Sequence, residues 1–246
     1  MNLALEINCD VGEYHPETGF NNDESIIPLV EMANICCGFH SGSPQLIKKT
    51  IQLCLDHGVK IGAHPSYNDR ASFGRKPLEE APDKTMADLI YQISALKSMV
   101  EFYGGQLHHV KAHGALYHKI SHDPDYARMF AGIVKKMDHN IKIIGMPFTQ
   151  LEAACINLKL KFIRECFADR KYVSSKQLMP RSEITSVISN NKELEEHIRG
   201  IVNGTLTDVY NNKYKIETDT ICVHSDTPES AEKIKIIRKL ITTKIN

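Results

Sequence analysis

The sequence lacks both of the common glycine-rich motifs that bind nucleotide phosphates. Neither the pattern G-x-x-x-x-G-K-[S/T] nor the pattern G-x-G-x-x-G after a strand occurs in its 246 residues. It also has no excess of charge of one sign, since 30 lysine and arginine residues balance 30 aspartate and glutamate residues. A balanced charge disfavours nucleic acid and anionic membrane surfaces as partners. We therefore expect the ligand to be a small molecule.

Long apolar runs and paired cysteine motifs are also absent. No stretch reaches the roughly 20 consecutive apolar residues that a membrane helix requires, and no basic region of the export-signal type precedes Glu6 and Asp10. The seven cysteines form no C-x-x-C motif, which disfavours a disulfide framework or a redox site. These features predict a cytoplasmic protein that makes no membrane contact. The cysteines expected to be small buried core residues are Cys9, Cys36, Cys54 and Cys155.

Short apolar segments with strand character alternate with helical segments along the chain. The predicted strands cover residues 3–8, 32–37, 59–63, 107–112, 141–146, 161–166 and 220–223. The predicted helices cover residues 43–58, 85–103, 123–137, 149–158, parts of 183–200 and a closing segment with Ile234, Ile237, Leu240 and Ile241. Because no low-complexity linker divides these elements, we expect a single domain over residues 1–246.

This alternation is typical of a parallel sheet covered by helices, either as a barrel or as a doubly wound sheet. A barrel gathers functional residues from the carboxyl ends of many strands, whereas an open sheet gathers them near one switch point. Here polar residues follow almost every predicted strand. They are Asp10, Glu13, His40, His64, Lys111, His113, Asp169, Arg170, His224 and Asp226. A single histidine after a strand is more often a capping or core residue, but the whole set predicts one shared site at a barrel mouth.

Several of these residues lie in motifs that are similar to those of one protein family. The motifs are NCDVGE (8–13), ANICCGFHSG (33–42), GAHPSY (62–67), FGR (73–75), VKAHGALY (110–117), FADRKY (167–172), MPR (179–181) and VHSDTP (223–228). In this order and at these spacings the chain resembles the LamB/YcsF family, which is the family of 5-oxoprolinase A subunits. The sequence departs from the family pattern at Cys9, Ala112 and Ser225, of which only Ser225 is expected to alter a site loop.

The resemblance implies both a fold and an activity. The fold is a distorted, TIM-like parallel (β/α) barrel of about seven strands, of the glycoside hydrolase and deacetylase type. The activity is ATP-dependent ring opening of 5-oxo-L-proline to L-glutamate together with partner subunits B and C. The implied catalytic, pocket-lining residues are Asp10, His40, His64 and His113. The substrate-binding residues expected with them are Glu13, Asn34, Arg75, Lys111 and Asp226.

Opening a resonance-stabilised lactam requires a base and donors for negative charge. We expect Asp10 with His113, or else Glu13, to activate water if the pKa of the base lies near the working pH. Lys111 and Arg75 are candidates to hold negative charge that develops on oxygen or phosphate. The alternative for these two cations is that they are solvated surface charges.

The substrate carboxylate and the nucleotide need further groups. A planar guanidinium from Arg170 or Arg181 suits a carboxylate, although a structural salt bridge is an equal alternative. Backbone amides at the start of the helix after Ser43 are further anion donors. Because no phosphate-loop motif is present, we expect a partner subunit to bind the co-substrate ATP and to activate the lactam.

Two other classes of function fit the same residues. Asp10, His40, His64 and His113 would suit a divalent metal, as in a metal-dependent amide or sugar hydrolase of deacetylase type, although no H-E-x-x-H pair is present. A non-catalytic subunit that only binds a small ligand is the other alternative. Elemental analysis separates the first alternative from a metal-free lactamase, and replacing Asp10 separates catalysis from binding.

Overall fold

The computed structural model describes residues 5–15, 18–181, 183–225 and 229–243. Its strands follow the chain in a simple order. They are β1 (Glu6–Val11), β2 (Met32–Cys36), β3 (Lys60–His64), β4 (Leu107–Val110), β5 (Lys142–Gly145), β6 (Phe162–Phe167), β7 (Tyr172–Ser174), β8 (Gln177–Leu178), β9 (Thr205–Thr207), β10 (Lys213–Lys215) and β11 (Thr220–Val223).

Seven of these strands close a barrel in the order β1, β11, β6, β5, β4, β3, β2, and β2 pairs with β1 again. Every neighbouring pair in the barrel is parallel. The other four strands form two small antiparallel hairpins, β7 with β8 and β9 with β10. The barrel confirms the predicted seven-stranded parallel α/β fold and excludes the doubly wound alternative.

Helices follow most of the barrel strands. They are α1 (Asp23–Ile26), α2 (Pro44–Asp56), α3 (Pro82–Phe102), α4 (Gly114–His122), α5 (Pro124–Met137), α6 (Gln150–Leu158), α7 (Asn191–Val202) and α8 (Ser230–Thr243). Each long helix buries one apolar stripe against the barrel, as Phe130, Ile133 and Val134 of α5 illustrate. Asp123 caps α5 by accepting from the amides of Asp125 and Tyr126.

Several predicted boundaries were wrong. The first strand was expected at residues 3–8 but runs over Glu6–Val11, because Asn8–Val11 pair with Met32–Ile35; residues 3 and 4 lie outside the described residues. Asp10 and His64 therefore lie within strands and not after them. The helix expected within 183–200 begins only at Asn191, because Asn190 caps it. Helix α4 was not predicted.

The barrel interior is polar, although its strands are largely apolar in sequence. Side chains alternate between the two faces of a strand, so every second residue of a barrel strand points inward. The buried polar residues at these inward positions are Asn8, Asp10, Asn34, His64, His109, Lys111, Glu165 and Thr220. The residues between them, such as Ile7, Cys9 and Ile35, are also buried and pack against the helices. Each short strand thus contributes polar side chains to the barrel interior and apolar side chains to the layer between the barrel and the helices.

The long segment between β6 and β11 carries the two hairpins and α7. Its first part, residues 168–181, lies beside the carboxyl ends of the barrel strands and contributes to the cavity described below. The seven cysteines are buried and unpaired, which confirms the predicted burial of Cys9, Cys36, Cys54 and Cys155. Within the described residues no helix has the length and apolar character needed to span a membrane.

Candidate active site

A cavity of about 670 Å³ opens at the carboxyl ends of the barrel strands. This volume lies in the range of small-molecule sites, about 300–1,000 Å³. The lining combines predicted site residues with residues to which no role was assigned. The predicted ones are Asp10, Glu13, His64, Arg75, Lys111, His113, Arg170 and Arg181. The structure therefore brings together eight of the eleven residues selected from the sequence.

Lys111 lies at the floor of this cavity with its ammonium group almost fully buried. Its Nζ atom lies 3.2 Å from Asp10 Oδ1 and 3.0 Å from Glu165 Oε2. It also donates to Asn8 Oδ1 at 3.1 Å. Burial by itself lowers the pKa of Lys111, but Asp10, Cys222 and Glu165 outweigh burial and raise it well above its usual value. Lys111 is thus a buried, permanently charged group and not the surface charge that the sequence left open.

Asp10 accepts on one oxygen and faces a histidine with the other. Its Oδ1 atom accepts from Asn34 Nδ2 at 2.8 Å and from Lys111 Nζ. Its Oδ2 atom lies 3.3 Å from His64 Nε2. Burial favours the neutral acid, but His64 and Lys111 outweigh it and hold the pKa of Asp10 well below its usual value. Asp10 is a carboxylate at neutral pH.

Three histidine rings stack or meet edge-on beside Asp10. His40 and His113 are parallel with ring centroids 3.9 Å apart, and His64 meets His113 edge-on at 4.9 Å. Burial and the neighbouring imidazoles lower the pKa of His40 and His113 well below the usual value. Burial raises the pKa of Glu13, whose Oε1 atom lies 2.9 Å from His40 Nε2.

His40 and Asn34 contact the lining residues but do not themselves line the cavity. His40 lies behind Glu13 and His113, and its Nδ1 atom lies 2.8 Å from Ser66 Oγ. Asn34 lies beneath Asp10, where its Nδ2 donates to Asp10 and its Oδ1 lies 2.8 Å from His109 Nε2. These two residues orient the groups in front of them.

Two glycines allow the loop 73–75 to approach this cluster. Gly74 has φ +64°, and an added Cβ would lie 3.0 Å from both His113 Cδ2 and His40 Cβ. Gly114 has φ +57°, and its Cβ would lie only 2.4 Å from the Gly74 oxygen. Close backbone approach is the physical reason for the glycines in the motifs FGR and AHGALY.

Cationic side chains also line the cavity. Arg170 is buried, donates from Nη2 to the Met179 carbonyl at 2.6 Å, and has no hydrogen-bond partner for Nε among the described residues. Burial and the nearby Arg181 lower the pKa of Arg170 to about 10. Arg75 lies at the rim with its guanidinium over the Phe73 ring. These guanidinium groups are suited to an anion.

Two groups that the sequence reasoning did not place, Glu165 and Tyr117, contribute to the site, as does His224, which was predicted at the shared mouth without a specific role. Glu165 is fully buried and holds Lys111; a charged residue inside the apolar segment KFIREC was the available signal. Tyr117 belongs to a quoted motif and lines the cavity, and burial with the nearby Glu165 raises its pKa well above the usual value. His224 also lines the cavity, with Nδ1 2.9 Å from the Asp169 carboxylate.

Two other predictions concern groups that do not line the cavity or that lie outside the described residues. The amides that begin α2 after Ser43 are not among the cavity-lining residues, and Ser43 Oγ itself accepts from Leu46 N. Asp226 lies outside the described residues. Its neighbour Ser225 lines the cavity and donates to the Asp10 carbonyl at 2.6 Å, so the expected departure from the family pattern does fall in a site loop.

Fold and site together define a TIM-like α/β-barrel protein whose polar ligand site lies at the carboxyl ends of its strands. The model of the LamB/YcsF family matches residues 5–245, and the chain belongs to that family. A relative from Symbiobacterium thermophilum, named as the A subunit of 5-oxoprolinase, is 38% identical over 235 residues, covering 95% of this chain and 90% of its own. The relative of the same name from Thermus thermophilus is 35% identical and covers 97% and 96%.

Solved structures agree with this assignment. The lactam utilization protein from Thermus thermophilus superposes with a TM-score of 0.88 at 34% identity, covering 98% of this chain and 97% of that chain. A putative cellobiose-phosphate cleavage protein from Enterococcus faecalis shares the fold alone, with a TM-score of 0.59 at 10% identity over 99% and 95% of the two chains. The predicted family and barrel are both confirmed.

Proposed function

We propose that this chain is the A subunit of a 5-oxoprolinase and that it opens the lactam ring of 5-oxo-L-proline to give L-glutamate. The names of its relatives support this activity, and so does the likeness to a lactam utilization protein. Because those relatives are named as one subunit of an enzyme, their names also support action within a multi-subunit complex. We take its partners to be subunits B and C.

The observation that carries the proposal is that acidic groups, a neutral imidazole and cations line one cavity. Asp10, Glu13 and His113 supply the carboxylates and the imidazole, and Arg170 and neighbouring cations line the same cavity. A small lactam that bears one carboxylate suits such a cavity, with its carboxylate at the arginines and its amide near Asp10 and Glu13. The guanidinium of Arg170 supplies planar donors for that carboxylate.

The electrostatics refine the choice of base. The sequence favours Asp10 with His113, but a carboxylate with a lowered pKa is a weak base. Glu13 lines the cavity and has its pKa raised by burial, which favours it as the group that takes a proton from water. In this proposal Asp10 orients His64 and Lys111, and Lys111 stabilises negative charge on the lactam oxygen or on a phosphate attached to it.

ATP is consumed in this proposal by a partner subunit, which phosphorylates the amide oxygen and makes the ring carbon open to water. The absence of both glycine-rich phosphate motifs supports this division of labour. Incubating the purified chain with ATP, with and without 5-oxo-L-proline, tests it by measuring ADP. We expect only background ADP in both cases. Robust ATP hydrolysis by the chain alone would contradict the assignment.

A further inference from the structure

The hydrogen bonds of His64 and His113 fix which ring nitrogen of each carries a proton. His64 Nδ1 lies 2.7 Å from the carbonyl oxygen of Lys111, and His113 Nε2 lies 2.8 Å from that of Phe73. A carbonyl oxygen can only accept, so both of these nitrogens are donors. In the neutral rings the other nitrogens, His64 Nε2 and His113 Nδ1, carry lone pairs. They face each other at 3.0 Å.

The position of the proton on His40 is fixed in the same way, through the hydroxyl group of Ser66. Ser66 Oγ donates its hydrogen to the Tyr67 carbonyl at 2.8 Å, so it accepts from His40 Nδ1 at 2.8 Å. The lone pair of His40 therefore lies on Nε2, which faces Glu13 Oε1 at 2.9 Å. Two atoms that both accept are thus in contact here as well.

Asp10 presents one free oxygen to the same place. Asn34 and Lys111 occupy its Oδ1 atom, which leaves Oδ2 directed at His64 Nε2, 3.3 Å away. Histidine ligands of metal ions nearly always donate their other ring nitrogen to a carbonyl or a similar acceptor, and ligating carboxylates are held by further hydrogen bonds. The groups around this cluster have that arrangement.

The spacing of the acceptor atoms of Asp10, His64 and His113 matches a coordination shell. The separations are 3.0 Å between the two facing histidine nitrogens and 3.3 Å from His64 Nε2 to Asp10 Oδ2, whereas Glu13 Oε1 lies 3.8 Å from His113 Nδ1. With metal–nitrogen bonds of about 2.0–2.1 Å, neighbouring ligands of a tetrahedral ion lie about 3.3 Å apart. Asp10, His64 and His113 form one group of converging ligand atoms, and Glu13, His40 and His113 form a second that shares His113.

We propose that Asp10, His64 and His113 bind one divalent transition-metal ion at the floor of the cavity and leave a further coordination position open toward it. Mixed imidazole and carboxylate ligands suit zinc and its neighbours in the first transition row. This site goes beyond the proposed ring opening, because binding of the ion depends neither on the lactam nor on partner subunits. The competing arrangement is a cluster that shares protons, with His64 and Glu13 protonated.

The test is metal binding by the full chain after dialysis against a chelator. Titration with Zn²⁺ and with Co²⁺ at neutral pH, followed by calorimetry and by the visible absorption of Co²⁺, is expected to give one ion per chain. His64→Gln and His113→Gln should each weaken binding by more than about 100-fold, because loss of an outer-shell partner alone costs about 10–100-fold. Asp10→Asn serves as a further variant, because it keeps the size of the side chain and removes the charge of the carboxylate ligand.

The matched control is His197→Gln. His197 is another partly buried histidine that contacts a carbonyl, that of Phe167, but it lies outside the cavity lining. This variant should bind the ion as the wild type does. Fewer than about 0.1 ion per wild-type chain with both metals would overturn the proposal in favour of shared protons. Unchanged affinity in His64→Gln, His113→Gln and Asp10→Asn would also overturn it, because the ion would then bind elsewhere.

Discussion

At the scale of single residues, the interior of the barrel depends on one buried cation. Lys111 has a side chain only 2% exposed, and it neutralises Asp10 and Glu165, whose side chains are 8% and 0% exposed. Removing one member of a buried ion pair leaves an uncompensated charge and is far more harmful than removing a surface pair. The inward alternation of the strands makes this arrangement possible, because Lys111 directly after β4 and Glu165 on β6 reach the same layer.

Lys111→Met is therefore expected to destabilise the chain by about 3–5 kcal/mol, since Asp10 and Glu165 remain buried without their cation. Urea denaturation of the purified variant measures this change. The control is Lys49→Met, because Lys49 and its partner Glu24 are 65% and 71% exposed, and its free energy of unfolding should barely change. Equal effects of the two substitutions would show that the buried network is not a stabilising centre.

Arg170→Lys tests the proposed contact with the substrate carboxylate. A lysine keeps the charge but loses the planar guanidinium donors of Arg170, which lines the cavity. We expect KM for 5-oxo-L-proline to rise about 10–100-fold with a smaller change in kcat, because a hydrogen bond to a charged group contributes about 1.5–3 kcal/mol. Steady-state kinetics of the reconstituted enzyme measure both constants. Arg199→Lys, on the exposed face of α7, should have no effect; an unchanged KM in Arg170→Lys would remove Arg170 from the site.

At the scale of elements, the loop 73–75 and the start of α4 hold the histidine cluster together. Phe73 has φ +55°, a conformation that is strained for a residue with a side chain, and its carbonyl accepts from His113 Nε2. Gly114 brings α4 against the same loop. The contacts between this loop and α4 therefore fix the orientation of the His113 ring.

Gly114→Ala should disrupt this contact, because the added Cβ meets the Gly74 oxygen and alanine is strained at a positive φ. We expect a loss of about 1–3 kcal/mol in the free energy of unfolding, measured by thermal and urea denaturation. Gly132→Ala is the matched control in the middle of α5, where nothing lies within 4 Å of the added Cβ. It should instead raise stability by about 0.5–1 kcal/mol. A neutral Gly114→Ala would show that the approach of α4 to the loop is loose.

Some helices and strands were predicted accurately from the sequence, and others were misplaced or missed. Amphipathic helices such as α5 were predicted to within a residue because a cap, a proline and a regular apolar stripe mark them. Strand β1 was placed three residues too early, because its inward positions, Asn8 and Asp10, are polar and resemble the start of a loop. Helix α4 was not predicted, because Gly114 is typical of a turn, although it is the first residue of the helix. Local pattern cannot show that a polar residue points into a barrel.

At the scale of the whole molecule, the cavity combines residues from distant parts of the chain. Asp10, Lys111 and His224 come from different barrel strands or their ends, and Arg170 comes from the segment between β6 and β11. The recurrence of polar residues after strands was enough to predict a shared mouth. It was not enough to separate the residues that line the cavity from those behind them, such as His40 and Asn34, because that depends on the depth at which each strand ends.

Glu165 received no predicted role because its contact with Lys111 exists only in the closed barrel. Its charge matters only because Lys111 lies opposite, 54 positions earlier in the chain and on another strand. Barrel closure, and not local sequence, brings the two within 3.0 Å. The role of such a residue can be recognised only from the way the strands align in the folded barrel.

The measurement that tests the central claim most directly is the formation of L-glutamate and ADP from 5-oxo-L-proline and ATP. It should be made with this chain alone, with subunits B and C alone, and with all three together. We predict glutamate only in the complete mixture, and its loss when Glu13→Gln or Asp10→Asn replaces the wild-type chain. Glutamate formation by subunits B and C alone at the rate of the complete mixture would contradict the proposal that the lactam ring is opened in this barrel.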